Sequence, residues 1–337
     1  MRLFHRKGNE VTWKPDDFIP VNKFISQPPE RYTKPQPQDN LDSEQRTIYQ
    51  SILNHFLDPL LYLPVDGLAK QVNDSNSYSK LSDYERFWLS KECILRYLRA
   101  TKWNKERTLK RIHETLLWRR QFGLDNYNFI EETARLVADE NITGKMLLLG
   151  YDRCRQLVLI LKNYKQNTEP SYTQVKQLVW FLEAACILTP KGTEAWSFVI
   201  DLQRYSDNNN NVLSQYEHPP LSLTKQVLNI VQDHYPERLY KCLVFNVPTS
   251  MWTFLKIIHP LINTVPRKKI LYDTPVDQHI ESDQLSSEYG GKLNFVYDHT
   301  VYWPNLVETV TARKGEQLQK FNEMGQIPGT SEYELRS

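Results

Sequence analysis

Five short apolar runs leave this chain few folds to choose from: MLLLG (146–150), LVLIL (157–161), SFVIDL (197–202), CLVFNV (242–247) and ILY (270–272). They have the length and β-branched content of buried strands. The first two are separated only by the polar turn YDRCRQ and read as an adjacent pair. Between the others lie stretches of helical character, about Tyr172–Leu188, Leu221–His234 and Met251–His259. Strands alternating with helices predict an α/β architecture built on a mainly parallel sheet with helical crossovers.

The helix Met251–His259 lacks a polar face, because only Thr253, Lys256 and His259 interrupt its apolar residues. The pattern fits two arrangements equally: a helix buried on most sides, or a lid with one side on a ligand and the other toward a membrane. Pro260 breaks it, and a short basic turn, Pro266-Arg267-Lys268-Lys269, leads into the last apolar run.

Ahead of the sheet, residues 43–122 read as helical. Ser82 with Glu85 forms a capping box for a helix that contains Phe87, Trp88, Leu89, Ile94, Leu95 and Leu98. The next begins near Asn104, with Leu109, Ile112, Leu116 and Leu117 at helical spacing. Arg96, Arg99 and Lys102 make a basic stripe, read as ion pairing across this domain. Residues 1–40 are rich in proline and polar residues and predict an extended or partly disordered surface arm. Their basic start (Arg2, His5, Arg6 and Lys7 around Leu3 and Phe4) reads as a solvated tail. The expected organisation is an arm (1–42), a helical domain (43–125), an α/β domain (135–298) and a helical tail (299–337).

Composition excludes several classes. The 42 basic and 40 acidic residues leave a net charge of +2, so bulk charge points to no partner. No dense basic block or zinc pattern favours nucleic acid. The four scattered cysteines (Cys93, Cys154, Cys186, Cys242) fit reduced thiols in a cytoplasmic protein. No apolar run approaches the roughly 20 residues of a spanning helix. The N-terminus lacks the apolar core of a secretory signal, and residue 2 is arginine rather than the glycine needed for myristoylation. Membrane contact is therefore expected to be peripheral.

Enzyme signatures are missing. There is no G-x-S-x-G, no G-x-x-x-x-G-K-[ST], no G-x-G-x-x-G and no H-E-x-x-H. Cys93 and Arg99 satisfy C-x5-R in spelling, but the intervening ILRYL is bulky and helical, whereas a phosphate-cradling loop needs small residues. No catalytic residue, metal site or cofactor is expected.

The string HYPERLYKCLVFNVP (234–248), the Trp252-Thr253-Phe254 helix followed by Pro260, and Tyr289-Gly290-Gly291 resemble the lipid-binding domain of the CRAL-TRIO superfamily, in particular the fungal phosphatidylinositol-transfer proteins. CILRYLRATKW (93–103) and Trp118-Arg119-Arg120 resemble that family's N-terminal helical domain. Val301-Tyr302-Trp303-Pro304 and the tail to Arg336 resemble the branch associated with azole tolerance in yeasts. The resemblance spans about residues 40–337 in order.

A phosphatidylinositol headgroup offers a phosphodiester anion, which wants a cation and backbone donors, and ring hydroxyls, which want a fixed carboxylate. Glu237 and Lys269 fall on the family's headgroup glutamate and lysine. The residues alone also fit an ion pair of Glu237 with Arg238 or a nearby lysine, and a solvated turn for Lys269. The resemblance further implies a movable lid formed by Met251, Trp252, Phe254, Leu255 and Ile258. It assigns Gly290 and Gly291 to a hinge, although the pair also fits an ordinary helix C-cap.

This sequence departs from the family pattern in two ways. Pro266 replaces a threonine three residues before the lysine. It is expected in a first helical turn that leaves the N–H groups of Arg267, Lys268 and Lys269 open to an anion, with Thr264 supplying a hydroxyl. Thr101, beside Lys102, replaces the family's arginine. Where members that exchange phosphatidylinositol for phosphatidylcholine carry hydroxyl residues in the pocket, this chain has Trp196, Phe198 and, approximately, Val158. The resemblance thus implies non-catalytic phosphatidylinositol transfer, poor phosphatidylcholine binding and a second, more hydrophobic ligand such as a sterol. It also implies transient contact with membranes (endoplasmic reticulum, lipid droplet or cell periphery) and delivery to lipid kinases, with homodimer formation open. A sterol carrier that does not use phosphatidylinositol, or a protein-docking module, fits the same residues.

Overall fold

The computed structural model describes residues 13–34, 40–65, 77–203 and 218–336. The basic start around Arg2–Lys7 and the polar loop Asn208–Asn211 lie outside the described residues. The arm's described part anchors itself through Phe24 and Tyr32, which are buried in the main core. Its strand β1 (Ile19–Val21) pairs in parallel with a strand close to the far end of the chain.

The helical front begins with α1 (Ser43–Leu57), opened by a capping box between Asp42 and Gln45. A short antiparallel pair, β2 (Leu63–Pro64) and β3 (Tyr78–Ser79), follows. Then come α2 (Asp83–Trp88), α3 (Lys91–Ala100) and α4 (Lys105–Phe122). The Ser82–Glu85 capping box forms, but the helix it opens stops at Trp88. The Ser90 hydroxyl accepts the Cys93 N–H and starts a second helix, so the expected continuous helix is two. Serine side chains compete with interior helical hydrogen bonds in this way. Ile52, Phe56, Leu89, Ile94, Leu98 and Ile112 form this region's own core.

After α5 (Phe129–Leu136), which the sequence reading missed, comes the antiparallel hairpin of β4 (Met146–Tyr151) and β5 (Leu157–Lys162). The chain continues through α6 (Tyr172–Leu188), β6 (Trp196–Asp201), α7 (Leu221–His234), β7 (Leu239–Phe245), α8 (Thr249–Ile258), α9 (Thr264–Arg267) and β8 (Ile270–Tyr272). The sheet order is β4-β5-β6-β7-β8, with every pair after the first parallel. Neighbouring parallel strands joined by right-handed crossovers place all their helices on one face. That arrangement gathers α6, α7 and α8 over the same side of the sheet.

The chain closes with β9 (Leu293–Phe295), the partner of β1, then α10 (His299–Glu323) and α11 (Glu332–Leu335). α10 seals the β4 edge, where the Tyr302 hydroxyl donates to Leu148 O and accepts the Leu148 N–H. Among the described residues no helix is long and apolar enough to cross a membrane.

The glycine pair ahead of β9 is required by geometry. Gly290 has φ +87°, and a Cβ on Gly291 would lie 1.8 Å from Leu285 O. Gly291→Ala is expected to lower stability by about 1–3 kcal/mol, the usual cost of forced overpacking. Urea unfolding checks it, and an unchanged midpoint would mean the backbone there yields freely.

Candidate lipid cavity and headgroup site

A cavity of about 340 Å³ opens at the carboxyl ends of the parallel strands, where open α/β sheets generally bind ligands. Its floor is Leu161, Ile200, Leu202 and Val244, residues that share one sheet face through strand alternation and parallel register. Val175 and Leu178 of α6 and Leu223 and Val227 of α7 form the walls. Met251, Phe254, Leu255 and Ile258 of α8 form the roof. One end is polar, with Lys145, Lys162, Gln166, Gln174 and Gln177 on its lining.

The roof is only half sunk. Met251 and Phe254 are buried, whereas Thr253, Lys256 and Ile257 are exposed. Trp252 leaves the cavity and packs its ring 5.3 Å from that of Tyr272. Immediately before α8, Asn246 sits at φ +54° and its amide donates to Asp201 Oδ1 at 3.0 Å. Gly290 and Gly291 adjoin this junction through their neighbours. The Tyr289 ring meets Phe245 edge-on at 5.2 Å, and Glu288 binds both Lys162 and the Tyr164 hydroxyl.

Glu237 lies in the turn between α7 and β7 at φ +60°, a left-handed conformation unusual for a non-glycine residue. Its carboxylate accepts Arg99 Nε at 2.5 Å. Arg99 also reaches Glu194 at 3.1 Å, and Arg96 reaches the same carboxylate at 2.9 Å. The basic stripe therefore pairs outward from the helical front, onto Glu194 and Glu237. Lys269 donates to Leu239 O at 2.5 Å. Burial lowers its pKa, and the nearby charge of Glu237 opposes that shift.

The turn before Lys269 differs from the expectation. α9 begins at Thr264, and Pro266 lies within its first turn as the third residue. The N–H groups of Arg267, Lys268 and Lys269 already donate to Asn263 O, Thr264 O and Pro266 O. They are not open to an anion here. The Thr101 hydroxyl donates to Tyr97 O and contacts Thr108 Oγ1 at 2.6 Å. Thr101 and Lys102 line a separate polar groove of about 600 Å³ beside Arg107, Arg111 and His234.

Trp196, Phe198 and Val158 do not come together. Trp196 is 1% exposed, donates to Thr189 Oγ1 at 2.8 Å, and lies under the Arg238 guanidinium. Phe198 is on the same face and packs against the cluster that includes Met251 and Phe254. Val158 pairs in register with Ser197, so it faces the opposite side of the sheet.

Sequence reasoning missed two features. Arg99 as the partner of Glu237 is a contact across 138 positions and has no local signal. The polar end of the cavity had one: Gln174 and Gln177 stand three apart in the first half of a largely apolar helix.

The CRAL/TRIO domain family model matches residues 141–291, and the CRAL/TRIO N-terminal domain model matches residues 48–114. The chain is 38% identical to "Phosphatidylinositol transfer protein PDR17" of Saccharomyces cerevisiae, with 100% of this chain and 96% of that protein covered. It is 41% identical to "CRAL-TRIO domain-containing protein C23B6.04c" of Schizosaccharomyces pombe over 88% of this chain, which spans only 28% of that larger protein. The solved structure of Sfh5 shares the fold, with a TM-score of 0.51, 16% identity, and coverage of 84% of this chain and 98% of that one.

Proposed function

We propose that this chain, which belongs to the CRAL/TRIO family, binds one phosphatidylinositol and carries it between membranes without catalysing a reaction on it. The observation that carries this reading is the apolar cavity roofed by α8 at the carboxyl ends of the parallel strands. Its 340 Å³ is at the low end of clefts that take drug-sized ligands. A diacyl lipid needs more room, so α8 moves outward, turning about Asn246 and the Gly290-Gly291 segment. Each buried methylene contributes about 0.8 kcal/mol, which lets the cavity compete with the bilayer. Ile257, Leu261 and Val265 are exposed on and after α8, with Lys256 and Lys268 beside them, a face suited to peripheral contact with anionic membrane.

In this reading Glu237 accepts from the inositol hydroxyls and Lys269 meets the phosphodiester. Backbone strain at Glu237 supports the assignment, since strained non-glycine residues cluster at functional sites. Arg99, already on Glu237, supplies the second cation in place of the arginine absent at position 101. Thr264 and Pro266 take a lesser part, in the short helix just before Lys269, and Lys102 contributes least, since it lines the separate groove with Thr101. The division into arm, helical domain, lipid domain and tail belongs to the same proposal. So do a cytoplasmic setting and delivery of phosphatidylinositol to lipid kinases.

The cavity lining favours a second, more hydrophobic ligand and disfavours phosphatidylcholine. Its lysines are occupied by Glu140 and Glu288, and an unpaired phosphate in an apolar site costs several kcal/mol. Native mass spectrometry after incubation with vesicles equimolar in phosphatidylinositol and phosphatidylcholine tests both statements. The expected adduct is one phosphatidylinositol per chain, with phosphatidylcholine at no more than a tenth of it. Equal adducts would remove the discrimination, and no adduct would point to a protein-docking module. A sterol carrier indifferent to phosphatidylinositol is the competing reading, favoured by the Thr101 hydroxyl being spent on Tyr97 O.

A further inference from the structure

We infer that Glu194 is a positioning residue for the headgroup site, splitting the Arg99 guanidinium between two carboxylates so that Glu237 keeps an oxygen open to a ligand hydroxyl. The C-terminal segment, through Tyr333 and Glu332, holds Glu194 in place. This rests on the headgroup reading above and adds how that site is kept ready for a ligand.

The inference follows from which nitrogens Arg99 spends, and on what. Nε donates to Glu237 Oε2 at 2.5 Å, and Nη2 donates to Glu194 Oε2 at 3.1 Å. These two nitrogens form one edge of the planar guanidinium, and such a fork pairs with both oxygens of a single carboxylate when nothing diverts it. Here Glu194 takes one prong, so the hydrogen bond from Arg99 to Glu237 uses Oε2 alone. Arg99 Nη1 and Glu237 Oε1 enter neither contact, and both side chains are partly exposed. A guanidinium released from Glu194 would close on Glu237 as a two-pronged pair, and the inositol hydroxyls would lose their acceptor.

Glu194 lies in the loop between α6 and β6 and is itself fixed from several sides. Its Oε2 also accepts Arg96 Nη1 at 2.9 Å, and its Oε1 accepts the Tyr333 hydroxyl at 3.2 Å. Its backbone carbonyl accepts Arg238 Nη1 at 2.7 Å, one residue beyond Glu237. Arg96 is 3% exposed and is gripped by Glu332 at 2.5 Å. Burial pushes the Glu194 carboxyl up, but Arg96 and Arg99 outweigh it and hold the group below its ordinary value, so it stays charged at neutral pH. Two neighbours in α11 thereby act on the headgroup site through one carboxylate. Fixing a long side chain before the ligand arrives reduces the entropy that binding otherwise costs.

Transfer of radiolabelled phosphatidylinositol by the full chain, measured against its mole fraction in donor vesicles, tests this. Glu194→Ala is expected to raise the half-saturating mole fraction about 5- to 10-fold with the maximal rate within about 2-fold, and Tyr333→Phe to raise it about 3-fold. In an Arg99→Ala background, itself defective, either substitution is expected to shift half-saturation by less than about 2-fold, because no guanidinium is left to position. Urea unfolding accompanies each variant. Should Glu194→Ala fail to fold, Tyr333→Phe, which removes only a hydroxyl, decides in both backgrounds. An equal loss in the Arg99→Ala background would mean a general packing role and overturn the inference, as would unchanged half-saturation in the folded variants. Glu237→Ala runs beside them. If it is defective while the folded Glu194 and Tyr333 variants behave as wild type, this inference alone fails; if Glu237→Ala behaves as wild type, the headgroup reading fails and takes this inference with it.

Discussion

Glu237→Ala and Lys269→Ala are each expected to lower phosphatidylinositol transfer about 10- to 100-fold, the equivalent of losing one or two charge-assisted hydrogen bonds. Stability is expected to hold while transfer falls. The Arg99–Glu237 pair is about one-third exposed, so breaking it costs at most about 1 kcal/mol of stability. Arg99 keeps Glu194 as a partner. Glu237→Gly is the sharper variant, because glycine adopts φ +60° without steric cost. It is expected to be as stable as wild type, or more stable by up to about 1 kcal/mol, and as defective in transfer as the alanine variant. Full transfer by the glycine variant would leave the strain at Glu237 without a functional account.

Glu332→Ala is expected to destabilise the fold by about 3–5 kcal/mol, the cost of stranding buried charges. Glu332 lies in α11 and accepts from Arg96 at 2.5 Å and Arg336 at 2.6 Å, with Arg238 at 3.5 Å. The Ser90 hydroxyl donates to it as well. It thereby ties the C-terminal segment to the helical front and to the turn that carries Glu237. Total stabilities of about 5–15 kcal/mol make this a large fraction, readable by urea unfolding.

Burial pushes the Glu332 carboxyl upward, but Arg96, Arg336 and Arg238 outweigh it and hold the group well below its ordinary value. Because the folded value is depressed, this stabilisation is complete above the unfolded carboxylate pKa of about 4.3 and is lost as pH falls through the folded value. Glu92, raised by burial and by the charge of Glu332, has the opposite sign. Glu332→Gln isolates the first contribution, and its stability is expected to fall less than that of wild type on acidification below about pH 4.3. An identical acid dependence would place the stabilising charge elsewhere.

The sheet was legible because β4, β5 and most of β6 are buried on both faces and therefore read as continuous apolar runs. Helix limits at Tyr172–Leu188 and Leu221–His234 match the structure, since apolar periodicity is local information. Strand limits moved where pairing decides them. β7 starts at Leu239 rather than Cys242 because Leu239 pairs with Trp196 across the ladder. The break at Ser90 and the closed N–H groups of Arg267, Lys268 and Lys269 depend on which side chain or backbone group captures an N–H, which the apolar pattern does not encode. At the candidate site, residue types could be named but not their partners. Nothing near Glu237 in sequence announces Arg99, and nothing near Val158 shows which face of the sheet it takes.

The most direct test of the central claim is transfer of radiolabelled phosphatidylinositol by the wild-type chain from donor to acceptor vesicles. The account predicts delivery that continues past one lipid per protein molecule, with phosphatidylcholine transfer at least about tenfold slower. Absence of phosphatidylinositol transfer by folded protein would contradict it.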